Sequence, residues 1–232
     1  VAKQLVNDGI EDAAIIHTDK HTNIAPFGNT EETHYLVIED SFPNGRPKLE
    51  DAGVLITDRE TVNDADQMKV TACLNPLHTS LAIFGCLLGF NSIATEAVDE
   101  DLLKMIKNLG YGEDLPVVKD PGIINPKEFI DTLIEKRLPN KNIPDTPQRI
   151  ASDTSQKVGI RYGVTLQHYV DDPTLNPADL EFIPMIIAGW CRYLMAIDDD
   201  GKEFVPSPDP LYGQLHKYVE DIKLGDELNV HE

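Results

Sequence analysis

No Gly-x-Gly-x-x-Gly turn occurs in this sequence, so it lacks the glycine-rich loop that cradles a dinucleotide's phosphates at the start of a helix. Cysteine is scarce. Cys73, Cys86 and Cys191 lie in apolar surroundings without metal-like spacing, which excludes a disulfide framework or a zinc site and makes a reduced, cytoplasmic setting the simpler reading. Basic residues are also few: 20 Lys and Arg against 40 Asp and Glu give a net charge of −20. That balance excludes nucleic-acid and anionic-membrane partners, both of which call for basic patches, but a few local cations leave anionic small molecules open. The chain opens on Val1 with no signal-like segment, residues 81–90 are too short an apolar run to cross a bilayer, and there are no repeats or low-complexity tracts.

What is there is organised around residues 67–90, the longest mainly apolar run of the 232 residues. Small Ala and Gly residues spaced through it predict a helix buried on most sides. Its polar head is the anomaly: Lys69, Asn75 and His78 stand at the N-terminal end, and a lysine in a buried setting loses its proton readily, as a base near neutral pH must. Singly, each has a bland explanation. Lys69 could snorkel from a helix start, Asn75 could satisfy a kinked backbone, and His78 could be a core histidine.

The order Lys, then Leu-Asn, then His three residues on resembles the catalytic motif of the long-chain mannitol dehydrogenase family, which includes mannitol, fructuronate and tagaturonate oxidoreductases. The string Val-Ile-Glu-Asp-Ser-Phe-Pro-Asn-Gly-Arg-Pro at residues 37–47 is similar to that family's junction segment. The resemblance implies Lys69 as general base on the reacting hydroxyl, with Asn75 and His78 holding the same oxygen. It also implies Arg149 and Lys157 as substrate-binding residues, in a similar Asp-x-Ser-Gln-Lys string. One departure stands out: the family has five residues from Lys to Asn, and Lys69 to Asn75 is six. In an unbroken α-helix that puts Lys69 about 120° from Asn75 and opposite His78. Pro76 offers a repair, since it cannot bond the Ala72 carbonyl, so a wide turn over residues 72–76 is expected to absorb the extra residue.

The domain layout that follows is a junction segment at residues 1–60, a helical catalytic and substrate domain at 61–232, and a nucleotide-binding domain outside this chain. NAD or NADP is then the cofactor of the full-length enzyme, with none bound by this chain alone and no metal. The partners are a polyol or sugar acid and the enzyme's own nucleotide-binding domain. The favoured activity is oxidation of a secondary alcohol to a ketone, of D-mannonate and fructuronate type rather than mannitol. A reading from another class is a non-enzymatic helical interaction domain whose polar head contacts a partner. The two separate on whether amine and imidazole converge on one concave site.

The fold is expected to be mainly α, with a small β-segment near residues 34–57 made of two pairing strands, residues 34–40 and 52–57. Helices are expected at residues 1–12, 99–109 (stopped by Gly110), 126–137 (capped by Asn125), from Thr146 through Lys157, 180–197 and 211–222. On one continuous helix Arg149 and Lys157 would lie within roughly 80° of each other, a pair of cations suited to a hydroxylated or carboxylated ligand. Asp198, Asp199, Asp200 and Gly201 look like part of a calcium loop but fail its ligand pattern and read as a turn. Asp19 is a further site candidate, and residues 226–232 are expected to fray.

Overall fold

The computed structural model describes residues 2–10, 13–17, 23–26 and 36–226. It is 57% helix and 5% strand, a mainly α chain as the apolar periodicities required. Asp19, the first two residues (34 and 35) of the expected first strand, and residues 227–232 of the acidic tail lie outside the described residues.

A short helix α1 (Ala2–Asn7) precedes an antiparallel pair that the sequence did not signal, β1 (Ile16–His17) with β2 (Asn23–Ile24). The expected strands pair as β3 (Val37–Glu39) and β4 (Leu55–Thr57), and they run parallel, with Val37 opposite Leu55. A 3-10 turn at Leu49–Ala52, ended by Gly53 at φ 81°, returns the chain to the same end of the ladder; that left-handed backbone is open to glycine at little cost.

Helical structure begins eight residues before the apolar run at residues 67–90. Asp58 caps α2 (Arg59–Gln67) by accepting the Thr61 N–H at 2.9 Å, and helical structure runs on through Leu87. By length and composition that run could cross a membrane, but 78% of its most apolar window is buried inside this fold, which marks a core helix. Between α2 and α3 (Asn75–Leu87) lies a π-helical segment, Met68–Cys73, in which the Leu74 N–H reaches the Lys69 carbonyl at 3.1 Å. The wide turn demanded by the Lys-to-Asn spacing is present, about one turn nearer the N-terminus than Pro76 suggested. Every residue of α3 except Asn75 and Phe84 is buried, and Leu77, Leu81 and Ile83 are fully so, each contributing about 1.5–3 kcal/mol relative to exposure.

Around α3 pack α4 (Ile93–Glu96), α5 (Glu100–Lys107), α6 (Pro126–Thr132), α7 (Pro147–Ile150), α8 (Thr154–Val158), α9 (Val164–Asp171) and α10 (Phe182–Leu194). Three of these run into π segments, Asn108–Asp114 after α5, Leu133–Arg137 after α6 and Gly159–Gly163 after α8. Gly110 therefore does not stop its helix. It sits inside a wide turn where an added Cβ would come within 3.3 Å of Leu77, so its small size serves close packing. Asn125 caps α6 as expected, accepting the Glu128 N–H at 3.0 Å.

Three further expectations need correction. Residues 146–157 are two helices, because Asp153 adopts φ 55° between α7 and α8. The helix expected at 180–197 ends at Leu194, where Arg192 turns to bond the Ile197 and Asp198 carbonyls and Ala196 takes φ 60°. The last helix is only α11 (Tyr212–Leu215) with a 3-10 turn, His216–Tyr218, since none of the described residues from 211 on is fully buried and Tyr218 is 81% exposed. Residues 198–201 do form a turn, closed by the Gly201 N–H on the Asp198 carbonyl at 3.0 Å. Cys73 and Cys86 are buried as expected, whereas Cys191 is exposed.

Candidate active site

The polar head of α3 sits where the helix changes from π to α geometry. The π segment removes one residue's worth of rotation, about 100°, so Lys69 lies roughly 80° from His78 instead of facing the opposite way. Two hydrogen bonds pin the transition: the Tyr162 hydroxyl donates to the Pro76 carbonyl at 2.8 Å, and the Thr165 hydroxyl lies 3.4 Å from the Thr71 carbonyl. The Thr71 carbonyl lacks a π-type partner because Pro76, five residues on, has no N–H.

Asn75 opens α3 half-buried, and its amide has no hydrogen-bond partner among the described residues. His78, one turn on, is 9% exposed. Its Nε2 lies 3.3 Å from Asp145 Oδ2 but off the hydrogen-bonding direction, so that nitrogen is buried without a hydrogen bond. Burial, and after it the charges of Arg137, Arg161, Arg149 and Lys157, depress the His78 pKa to about 3. The Asp145 carboxylate pulls the other way, but Arg149 engages it in an ion pair, and burial with four cations prevails. So low a pKa leaves the ring neutral at neutral pH, able to accept a hydrogen bond at one nitrogen and donate one from the other.

Arg149 and Lys157 come together without sharing a helix. Lys157 crosses from α8 back to the end of α7, where its ammonium donates to the Ile150 carbonyl at 3.0 Å and to that of Ser152. Burial first, and then Arg161 among its neighbours, lowers the Lys157 pKa. Asp209 fixes the start of α8 by accepting the Ser155 N–H at 2.7 Å and its hydroxyl at 2.5 Å.

Lys69 is half-buried and lines an adjoining cleft of about 450 Å³ with Leu36, Val37, Arg59, Asn63 and Asp66; neither Asn75 nor His78 lines that cleft. The structure thus brings His78 and Arg149 to Asp145, places Lys157 near enough for its charge to act on His78, and sets Lys69 in a cleft against the β-segment. Asp145, Arg137, Arg161 and Thr79 were missed. Arg161 had a signal, its i,i+4 spacing from Lys157; Asp145 had none.

These features define a class: a helical domain that presents polar and cationic groups from a kinked, buried helix beside a cleft, without a dinucleotide-binding turn. Sequence comparison makes it specific. Residues 62–230 match the mannitol dehydrogenase C-terminal domain, and the chain belongs to that family. It is 58% identical over 228 residues to the D-mannonate oxidoreductase of Thermotoga maritima, covering 97% of this chain and 42% of that protein. The polyol:NADP oxidoreductase of Gluconobacter oxydans is 32% identical over 81% of this chain and 37% of its own length. Among solved structures, Pseudomonas fluorescens mannitol 2-dehydrogenase in ternary complex with NAD and D-mannitol matches with a TM-score of 0.68 at 28% identity, over 80% of this chain and 36% of that one. The chain spans about two fifths of the length of these curated relatives.

Proposed function

We propose that this chain is the substrate-binding and catalytic part of an NAD(P)-dependent oxidoreductase that converts a secondary alcohol of a polyol or sugar acid to a ketone, with D-mannonate and fructuronate favoured over mannitol. The observation that carries the reading is the neutral His78, next to the unbonded Asn75 amide and ringed by Arg137, Arg149, Lys157 and Arg161. Such a constellation steadies an alkoxide and attracts an anionic substrate. The 58% identity to a D-mannonate oxidoreductase over nearly the whole chain supports it.

Residues 1–60 serve as the junction to a nucleotide-binding domain, and 61–232 form the catalytic domain. This chain lacks a phosphate-cradling turn, so it offers the cofactor one wall, the cleft between Lys69 and the β-segment. NAD(P), when bound there, would supply the hydride acceptor. Lys69 takes the hydroxyl proton from the cleft side, Asn75 donates its amide N–H to the same oxygen, and His78 holds that oxygen or its neighbour. Arg149 and Lys157 grip the rest of the substrate. The proton steps rest on these side chains, with no metal required.

The full-length enzyme tests this directly. D-mannonate with NAD or NADP is expected to turn over, and Lys69→Ala to lower kcat by about 10²–10⁴-fold, the usual range for a lost general base. Wild-type kcat in Lys69→Ala would remove Lys69 as the base. Absence of turnover on both D-mannonate and mannitol would overturn the reading as a whole.

A further inference from the structure

The four cations around His78 are not equivalent. Arg149 is committed to Asp145, and the Lys157 ammonium is held by two carbonyls. Arg161 differs. It lies in the π segment Gly159–Gly163, packed on the π segment of the central helix, and one of its guanidinium nitrogens touches the hydroxyl of Thr79, the residue after His78. Among the described residues no carboxylate lies within salt-bridge distance of it, and Thr79 is its one hydrogen-bond partner. Burial is the leading influence on it and acts against its charge.

A guanidinium has five N–H donors in a planar fork. Here one is used, and the group is partly removed from water without a counter-charge, an arrangement that costs free energy unless an anion completes it. The fork touches the residue next to His78 and its charge acts on the His78 ring, so an anion paired with it is assigned to the molecule whose hydroxyl His78 holds. A carboxylate matches the fork with two parallel hydrogen bonds, which a neutral hydroxymethyl group cannot supply.

We infer that Arg161 is the residue that binds the substrate's carboxylate and sets the preference for sugar acids over neutral polyols. This rests on the proposed oxidoreductase reading and deepens it, because no signal in the motif itself assigns Arg161.

The test compares D-mannonate with D-mannonamide, which keeps the hydroxyls and replaces the carboxylate by a neutral amide, using the full-length enzyme. Wild type should prefer the acid by about 100-fold in kcat/KM, the scale expected for one desolvated, charge-assisted pair. Arg161→Gln should abolish most of that preference, chiefly by raising KM for the acid and not for the amide. Arg161→Lys should keep the charge but lose the fork and fall in between; it also serves as the readout if Arg161→Gln is unstable. Equal loss on acid and amide in both variants would overturn the inference and leave Arg161 a structural residue. So would a wild type that does not distinguish acid from amide. Absence of wild-type turnover on either compound would sink the oxidoreductase reading itself, a different outcome from loss of the preference alone.

Discussion

Glu113 offers the sharpest test of how this fold is held together. Its side chain, 6% exposed, sits in the π segment after α5 and reaches the start of α10, where Oε1 accepts the Glu181 and Phe182 N–H groups at 2.6 and 2.7 Å and Oε2 accepts that of Ile183 at 2.7 Å. Three of the four N–H groups a helix leaves unpaired at its start are thus met by one remote carboxylate. Truncation in Glu113→Ala strands those donors. Ile183 is fully buried and cannot recruit water, Phe182 is half-buried, and Glu181 is exposed enough to be solvated. Hydrogen bonds to a charged group contribute about 1.5–3 kcal/mol each, but a shared acceptor is not additive and one donor is rehydrated, so the expected cost is about 3–4 kcal/mol. For a chain of this size that lowers Tm by roughly 6–16 °C. Glu113→Gln keeps one acceptor oxygen and turns an amide N–H toward a facing donor, so about half the loss is expected. Thermal and urea unfolding of the three proteins side by side supply the measurement. An alanine variant within about 0.5 kcal/mol of wild type would refute the remote cap.

Two further outcomes follow from the core. Glu96 is fully buried with neither carboxyl oxygen hydrogen-bonded, and burial raises its pKa to about 8. The unfolded chain therefore releases this proton near pH 4.5 while the folded one keeps it to about 8, so this residue's contribution falls as pH rises through that window, by up to about 5 kcal/mol, and is level above it. Glu96→Gln should flatten the pH dependence of unfolding between pH 5 and 8, and an unchanged slope would contradict the assignment. Gly189 of α10 lies against α3, where an added Cβ would meet Phe84 Cζ at 2.8 Å; Gly189→Ala is expected to destabilise by about 1–3 kcal/mol through overpacking, and a neutral change in unfolding would show that the ring moves aside freely.

What was legible in the sequence was what local chemistry decides. The side-chain caps at Asn125 and Thr146 accept backbone N–H groups three residues on, and the apolar run of α3 is buried where its composition placed it. The π turn was legible because two local facts conflicted, a motif spacing and a helical period. Where sequence reading failed, a distant group decided. The break between α7 and α8 is stabilised by Asp209 on Ser155, 54 residues away, and the start of α10 is fixed by Glu113, about 70 residues upstream. Arg161 was missed for a related reason: its spacing from Lys157 was regular, but its role depends on facing Thr79, 82 positions earlier, which that spacing does not encode.

The π segment at Met68–Cys73 also bears on how relatives of this chain should be compared. What a catalytic motif on a helix preserves is the direction of its side chains around the axis, and residue count is a proxy for direction only while the helix stays regular. Here six residues separate Lys69 from Asn75 and a wide turn lies between them, so a search pattern that fixes a five-residue interval between lysine and asparagine would pass over this chain. An alignment that places its gap elsewhere would pair Lys69 with the wrong column. Members with five and six residues in this interval are best aligned through the turn, with the gap inside residues 70–73, so that the helix on either side keeps its partners in the core.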